Sequence, residues 1–431
     1  MGIDFLKINI ILKIRIPSRF KKIILIDGGS MSYKKVAIVG AGAMGSGIAH
    51  AFASTSSDVI LVDIKEEFVK GGMQKIEARC DSDVKKGKMT ADDKARIMGR
   101  IKGTINHADL KDVDLVIEAV LEDRKIKGDL FTSLNKVCKQ DSVFATNTSS
   151  LSVTDLAGLC GRPDRFLGLH FFNPVHAMKL VEIIPGLLTD KKVVNAVNEG
   201  IKAIKKAPVV VQDCPGFLVN RVLLMYICEA LLCAQEGTSP EVIDAEAKKA
   251  GFPMGPIELV DMVGIDVSAH SQPILHQAYG ERFPYPTIIQ KLFEAGRLGM
   301  KTKKGFYSEG KVDDEYKAIV KGIGAKPSPA GFSADRIILR QVNEAIYCLQ
   351  EGVATAEDID RAMVLGTGFP NTAGVGGPLH WADEKGLDFV LAQLEKLKDS
   401  VGSRFWPHHL LKIYVAAGRL GKKSGKGFFE Y

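Results

Sequence analysis

Gly40-Ala41-Gly42-Ala43-Met44-Gly45 stands between an apolar run, Val36-Ala37-Ile38-Val39, and a stretch in which Ile48, Ala49 and Phe52 share one helical face. A strand that turns through such a loop directly into a helix is the opening βα unit of a doubly wound sheet. Glycines there permit the tight turn and let a pyrophosphate approach the helix N-terminus, where backbone N–H groups and the helix dipole favour an anion. Gly40, Gly42 and Gly45 are therefore expected to hold a dinucleotide. Asp63 ends the next apolar run about twenty residues on, where a carboxylate binds both ribose hydroxyls and repels a 2′-phosphate. The expected cofactor is NAD in preference to NADP. A glycine-rich turn without a cofactor is the competing reading, and the strand and helix on either side argue against it.

From Lys35 onward the pattern alternates. Strands are expected at Val36–Val39, Val59–Val62, Leu115–Ala119, Val143–Thr146, Leu167–Phe171, Val181–Ile184 and Val209–Val211, with helical stretches between most of them. Short apolar strands separated by amphipathic helices imply a mostly parallel sheet covered on both faces. Glu66 to Lys102, rich in Lys and Glu, reads as a helical hairpin inserted before the third strand, and Lys85-Lys86-Gly87-Lys88 within it as a solvated turn in preference to a phosphate contact.

After Asp213-Cys214-Pro215-Gly216 the chain becomes helical and then repeats itself. Asn220-Arg221-Val222-Leu223-Leu224 with Glu229-Ala230 and Gln235-Glu236-Gly237 is echoed by Asp335-Arg336-Ile337-Ile338-Leu339 with Glu344-Ala345 and Gln350-Glu351-Gly352. Gly251-Phe252-Pro253 matches Gly368-Phe369-Pro370, and Arg297 to Tyr307 matches Arg419 to Phe429. The fold class expected is thus an α/β Rossmann-type doubly wound sheet followed by two repeated all-α domains. Its parts are an N-terminal extension (1–31), a dinucleotide-binding domain (32–212) and two helical copies (213–320 and 333–431). The linker between copies falls near Lys321 to Phe332, where Gly, Lys, Pro and Ser cluster.

A 431-residue chain with 46% hydrophobic and 25% charged residues is expected to form two or three globular domains. Of the net charge of +7, residues 1–30 carry +4, from six basic side chains against two acidic ones. The remaining +3 leaves no electrostatic footprint for nucleic acid. Seven cysteines without a CxxC pair read as small core residues in a reducing cytoplasm, not as a disulfide framework or zinc cage. No apolar run is long enough to span a membrane. In the extension, Ile8-Asn9-Ile10-Ile11-Leu12 is too interrupted for a signal-peptide core, and Leu6 stands where a myristoylation site needs Ser or Thr. Met31 is an alternative start, with Gly28-Gly29 as a translated ribosome-binding sequence.

The chemistry concentrates in Leu169-His170-Phe171-Phe172-Asn173-Pro174 and Leu180-Val181-Glu182-Ile183. An imidazole takes a proton near neutral pH, and a carboxylate beside it fixes the tautomer and stabilises the protonated ring. His170 is the candidate base and Glu182 its orienting acid. Ser149, after the strand at Val143–Thr146, can bond a substrate hydroxyl, and Asn220, past the domain junction, can support the same oxygen. No GxSxG elbow surrounds Ser149, so it is not read as a nucleophile. His176 is the nearest rival base. Glu122 and Lys127 follow the strand at Leu115–Ala119, where open sheets place ligands, but Glu and Lys also belong at an ordinary surface helix start. No metal is expected.

Together with Asn147-Thr148-Ser149-Ser150 and Asp213-Cys214-Pro215-Gly216-Phe217-Leu218-Val219-Asn220-Arg221, these segments closely resemble the NAD-dependent 3-hydroxyacyl-CoA dehydrogenases from about Tyr33 to the C-terminus. The resemblance implies reversible oxidation of an L-3-hydroxyacyl-CoA thioester to the 3-ketoacyl-CoA, as in fatty-acid β-oxidation, with no role for His176. It also implies that Glu122 and Lys127 line the nicotinamide-ribose side of the NAD site. Two helical copies in one chain resemble the dehydrogenase half of the multifunctional β-oxidation enzymes, without their hydratase, so enoyl-CoA hydratase and thiolase are expected as partners. The second copy, with Asp335 where Asn220 stands, is expected to be structural, forming an internal pseudo-dimer that leaves the chain a monomer or weak dimer. Lys303 replaces the small residue found at Gly425, which puts that turn in question. Alternatives are a short-chain 3-hydroxybutyryl-CoA dehydrogenase working in the reducing direction, a sugar-acid dehydrogenase, or a scaffold subunit.

Overall fold

The computed structural model describes residues 24–26, 30–372 and 375–431. The extension expected over 1–31, with its alternative start at Met31, lies mostly outside them. Ile24–Ile26 and Ser30–Ser32 pair as a short antiparallel ladder ahead of the main sheet.

That sheet has eight strands: β1 (Lys35–Val39), β2 (Asp58–Val62), β3 (Ile101–Thr104), β4 (Leu115–Glu118), β5 (Val143–Thr146), β6 (Phe166–Phe171), β7 (Leu180–Pro185) and β8 (Ala207–Val210). Their spatial order is β8-β7-β6-β5-β4-β1-β2-β3. All neighbours are parallel except β6 and β7. Val36, Ala37 and Ile38 of β1 and every residue of β4 and β5 are buried, as parallel strands covered on both faces must be. Helices α1 (Ala43–Ala53), α2 (Glu66–Lys85), α3 (Ala91–Gly99), α4 (Arg124–Val137), α5 (Val153–Cys160) and α6 (Lys191–Ala203) provide that cover.

The helical hairpin is present as α2 and α3, and Thr90 with Asp93 forms a capping box that starts the second arm. Gly87 turns the chain between them at φ +66°. The hairpin does not run to Lys102 as the sequence pattern suggests; it ends at Gly99, and Ile101–Thr104 is a strand on the sheet edge. Only Ile101 of that strand is fully buried, so a half-solvated edge leaves too few apolar residues to signal it.

The first helical copy comprises α7 (Val219–Gln235), α8 (Pro240–Lys249), α9 (Pro256–Val263), α10 (Ile265–Tyr279), α11 (Thr287–Glu294) and α12 (Asp314–Ile323). The second comprises α13 (Ala334–Gln350), α14 (Ala356–Thr367), α15 (Pro378–Lys385), α16 (Leu387–Ser400) and α17 (His409–Ala416). Matching polar anchors recur in both. Asp261 accepts the N–H groups of Phe306 and Tyr307, and Asp383 those of Phe428 and Phe429. The turn that Lys303 put in question is present, with Lys303 in a left-handed conformation (φ +57°) like that of Gly425 (φ +75°).

The copies pack through α7 and α13 about a pseudo-twofold axis. Arg221 bonds Glu344 at 2.6 Å and Glu351 at 2.7 Å, while Arg336 bonds Glu229 at 2.8 Å and lies 3.0 Å from Glu236. Both arginines are buried, and each meets one fully buried carboxylate, Glu344 or Glu229, and a second that reaches solvent, Glu351 or Glu236. The second copy also reaches the edge of the main sheet at β8: Arg361 donates to Pro208 O at 2.8 Å, and Gln212 N to Val353 O at 3.0 Å. Six cysteines are buried, Cys214 is half-buried, and all seven are free thiols. Among the described residues no helix is long and apolar enough to cross a membrane.

Candidate active site

The strand order reverses between β1 and β4, which opens a crevice at their C-terminal ends. Gly40 lines it at φ +106°, and a Cβ there would lie 2.4 Å from Ala119 O. A Cβ at Gly45 would lie 1.7 Å from Gly40 O, so only glycine lets α1 pack on the loop. At Gly42 an added Cβ would meet nothing within 4 Å. The space before the loop is therefore open, and Gly42 caps α1 with no side-chain hydrogen bond to its first N–H groups. Asp63 is held beside the loop, accepting from Ala41 N and Ile64 N at 2.7 Å each. An open anion cradle with an anchored carboxylate next to it fits a dinucleotide without a 2′-phosphate.

Across the crevice, three side chains form a polar knot. Lys127 is only 1% exposed and lies 2.5 Å from Glu118 and 3.2 Å from Glu122. The reading of Lys127 as part of a surface helix start is therefore wrong: the α4 N-terminus turns it inward, under the end of β4. Glu118 also accepts from Thr146 Oγ1 at 2.7 Å. Glu122 Oε1 collects the Thr148 hydroxyl at 2.6 Å and the N–H groups of Ser149 at 2.8 Å and Ser150 at 3.1 Å. Burial alone would raise the Glu122 pKa, but the Lys127 ammonium and these donors outweigh it and hold the carboxyl below its ordinary value. The knot thus fixes the backbone turn that presents Ser149.

His170 and Glu182 face each other because β6 and β7 are antiparallel and their register pairs these two residues directly. His170 Nδ1 lies 2.7 Å from Glu182 Oε2, with the glutamate fully buried and the imidazole 6% exposed. The other oxygen, Oε1, accepts from Leu218 N at 3.2 Å and Val219 N at 2.9 Å, at the start of α7. One carboxylate therefore ties the candidate base to the N-terminus of the helix that carries Asn220. Phe172 packs on the imidazole, with ring centroids 4.5 Å apart.

Ser149 and Asn220 line one cavity of about 210 Å³, which continues between α7, α9 and α10 past Leu224, Ile227 and Val263. His170 is not among its lining residues; it is joined to Asn220's helix through Glu182. His176 is exposed in the turn beyond. In the second copy the positions matching Leu259, Val263 and Val267 are Trp381, Lys385 and Phe389, and Lys385 Nζ sits 5.4 Å over the Trp381 ring. Bulky side chains thus occupy the wall positions that form the first copy's cavity.

Sequence reasoning missed Glu118, Thr148 and the Leu218–Val219 amides. A charged residue ending the apolar run Leu115-Val116-Ile117 was the available signal for Glu118. Nothing in the sequence marks two backbone amides as ligands of Glu182.

The family described as the 3-hydroxyacyl-CoA dehydrogenase NAD binding domain matches residues 35–214, and its C-terminal domain matches twice, over 216–309 and 331–431. The fatty acid oxidation complex subunit alpha of Shewanella amazonensis is 36% identical over 402 residues, covering 91% of this chain and 57% of that protein. The glyoxysomal fatty acid beta-oxidation multifunctional protein MFP-a of Cucumis sativus is 37% identical over 390 residues, covering 87% and 54%. The chain thus spans little more than half the length of these relatives. The crystal structure of 3-hydroxybutyryl-CoA dehydrogenase from Escherichia coli K12 superposes with a TM-score of 0.82 at 32% identity, over 90% of this chain and 99% of that one. With one NAD-binding domain and two C-terminal domains matched, the chain belongs to the 3-hydroxyacyl-CoA dehydrogenase family.

Proposed function

We propose that the chain is an NAD-dependent dehydrogenase that oxidises the C3 hydroxyl of L-3-hydroxyacyl-CoA thioesters to the 3-keto group, and runs the reverse reduction. The observation that carries this reading is the buried His170–Glu182 pair at 2.7 Å, tied to the helix that bears Asn220. Ser149 and Asn220 bond the substrate oxygen, and His170 Nε2 takes its proton as the bond to hydrogen at C3 breaks. Glu182 holds the proton on Nδ1, so that Nε2 offers its lone pair, and stabilises the imidazolium that forms. NAD, when bound, would supply the hydride acceptor. Gly40, Gly42 and Gly45 hold its pyrophosphate and Asp63 its adenosine ribose. Glu122 lies on the nicotinamide-ribose side, with Lys127 acting through it.

The names of the relatives support a place in fatty-acid β-oxidation; with that place goes our reading that enoyl-CoA hydratase and thiolase are its partners and that it works in the cytoplasm. The two-copy E. coli neighbour, covered almost end to end, favours a second reading of the same site: a free-standing short-chain 3-hydroxybutyryl-CoA dehydrogenase. The internal α7–α13 packing supports a monomer or weak dimer, because an intrachain contact does not depend on protein concentration. Purified chain should oxidise NADH with acetoacetyl-CoA without any partner, and His170→Gln should lose the activity. No turnover by the wild type, or undiminished turnover by the variant, would overturn the proposal.

A further inference from the structure

The second copy reaches the two residues that flank Glu182. Leu180 and Glu182 are two residues apart on β7 and so share one face of the sheet. Val219 donates its N–H to Glu182 Oε1 at 2.9 Å. Leu180 and Val219 are both buried, and α14 lies against both of them: a Cβ at Gly366 would stand 2.9 Å from Leu180 Cδ2 and 3.1 Å from Val219 Cγ1. Gly366 does not adopt a left-handed φ, so the backbone of α14 does not itself call for glycine, which is a poor helix former. Close approach to those two side chains is what the glycine permits. Earlier in the same helix, Arg361 donates to Pro208 O at 2.8 Å, and Pro208 pairs with Val181, the chain neighbour of Glu182.

The matching helix of the first copy, α8, ends differently. Asp244 and Asp360 occupy equivalent places, each accepting two N–H groups at the start of the next helix, α9 or α15. Six residues then separate Asp244 from Gly251, where seven separate Asp360 from Gly368. Lys248 and Lys249 stand exposed at the end of α8, and Lys249 pairs with Glu246 at 3.5 Å. The repeat therefore departs from its own pattern where α14 meets β7 and the start of α7. The reciprocal ion pairs that join the copies lie elsewhere, on α7 and α13.

We propose that the second copy is a working part of the active site and not only a scaffold: Gly366 is a positioning residue that lets α14 hold Leu180 and Val219, and with them Glu182 and its bond to His170, in the geometry that catalysis needs. The inference rests on the dehydrogenase reading above. Glu182 Oε1 has the Leu218 and Val219 amides as donors, so a shift of α7 against β7 weakens that grip and turns Oε2 away from His170 Nδ1. Proton transfer falls steeply with such a displacement, because a base acts only from within hydrogen-bond reach.

The test is a mutant cycle on the full chain, with kcat for acetoacetyl-CoA reduction and NADH affinity measured for Gly366→Val, Glu182→Gln and the two combined. A valine side chain is stiff and cannot swing clear, so Leu180 or Val219 must move. Gly366→Val should lower kcat about ten- to hundredfold and leave NADH affinity within about twofold of the wild type. In the Glu182→Gln background the same change should cost less than about twofold, because the group it acts through is already lost. Leu180→Ala, which removes as many side-chain carbons as the valine adds, should recover most of the loss. Should Gly366→Val not fold, Gly366→Ala should show the same pattern at about a threefold loss. Unchanged kcat, NADH affinity falling in step with kcat, an equal fold-loss in the Glu182→Gln background, or no recovery with Leu180→Ala would each overturn the proposal. Undiminished kcat in Glu182→Gln alone would instead defeat the reading of the His170–Glu182 pair on which it rests.

Discussion

Glu182→Gln replaces one oxygen of a fully buried side chain by an amide nitrogen, and the surrounding hydrogen bonds dictate how the new group must sit. The wild-type carboxylate accepts three hydrogens: one from His170 Nδ1 and two from Leu218 N and Val219 N. Glutamine offers one acceptor and one donor group in nearly the same volume. If its NH₂ faced the two α7 amides, donors would meet donors in the core, at about 1–3 kcal/mol for each polar group left unpaired. The amide oxygen therefore turns to α7 and the NH₂ to His170. Nδ1 must then accept, the ring proton moves to Nε2, and the nitrogen that faces the substrate loses its lone pair. We expect kcat to fall by roughly 10²- to 10⁴-fold, the range for a positioned general base held in the wrong tautomer. NADH affinity should hardly change, because no dinucleotide-binding residue is touched. Steady-state reduction of acetoacetyl-CoA with a fluorescence titration of NADH separates the two effects. A variant with near-normal kcat, or one whose NADH affinity falls in step with kcat, would refute the reasoning.

The pseudo-twofold axis predicts unequal losses at equivalent sites. Arg221→Met leaves Glu344 buried with Arg282 no nearer than 3.5 Å, whereas Arg336→Met leaves Glu229 bonded to Arg404 at 2.7 Å. The first should cost about 3–5 kcal/mol and the second clearly less, with Arg221→Met/Glu344→Leu recovering most of the loss; equal losses in urea unfolding would contradict this. Lys303→Gly should raise stability by up to about 1 kcal/mol by relieving the left-handed backbone, and a loss in the same assay would show that the lysine side chain contributes more than the strain removes. Asp63→Ala should weaken NADH binding roughly tenfold and narrow the gap to NADPH, checked by titrating both; a wild type that binds NADPH as well as NADH would overturn the role given to Asp63.

Local pattern determined much of this protein. The glycine loop, the apolar strands and the repeated helical segment each depend on neighbours a few residues apart, and periodicity of that kind is readable from the chain. His170 and Glu182 were legible as a pair because antiparallel strands joined by a short turn bring such residues into register. Tertiary structure decided what depends on contacts between distant segments. The edge strand at Ile101–Thr104 exists because it pairs with β2, Lys127 is buried because β4 ends in Glu118, and Glu182 is anchored by amides thirty-six and thirty-seven residues away. The reciprocal Arg–Glu bonds between α7 and α13 are visible only once the copies are packed. The cavity in the first copy is divided between sequence and tertiary structure: the residues at its wall differ between the copies in the sequence itself, Val263 and Val267 against Lys385 and Phe389, but that these positions line one cavity is visible only in the packed structure. Hydrogen bonds and ion pairs act over a few ångströms in space, and a linear pattern carries no record of which distant residues folding brings that close.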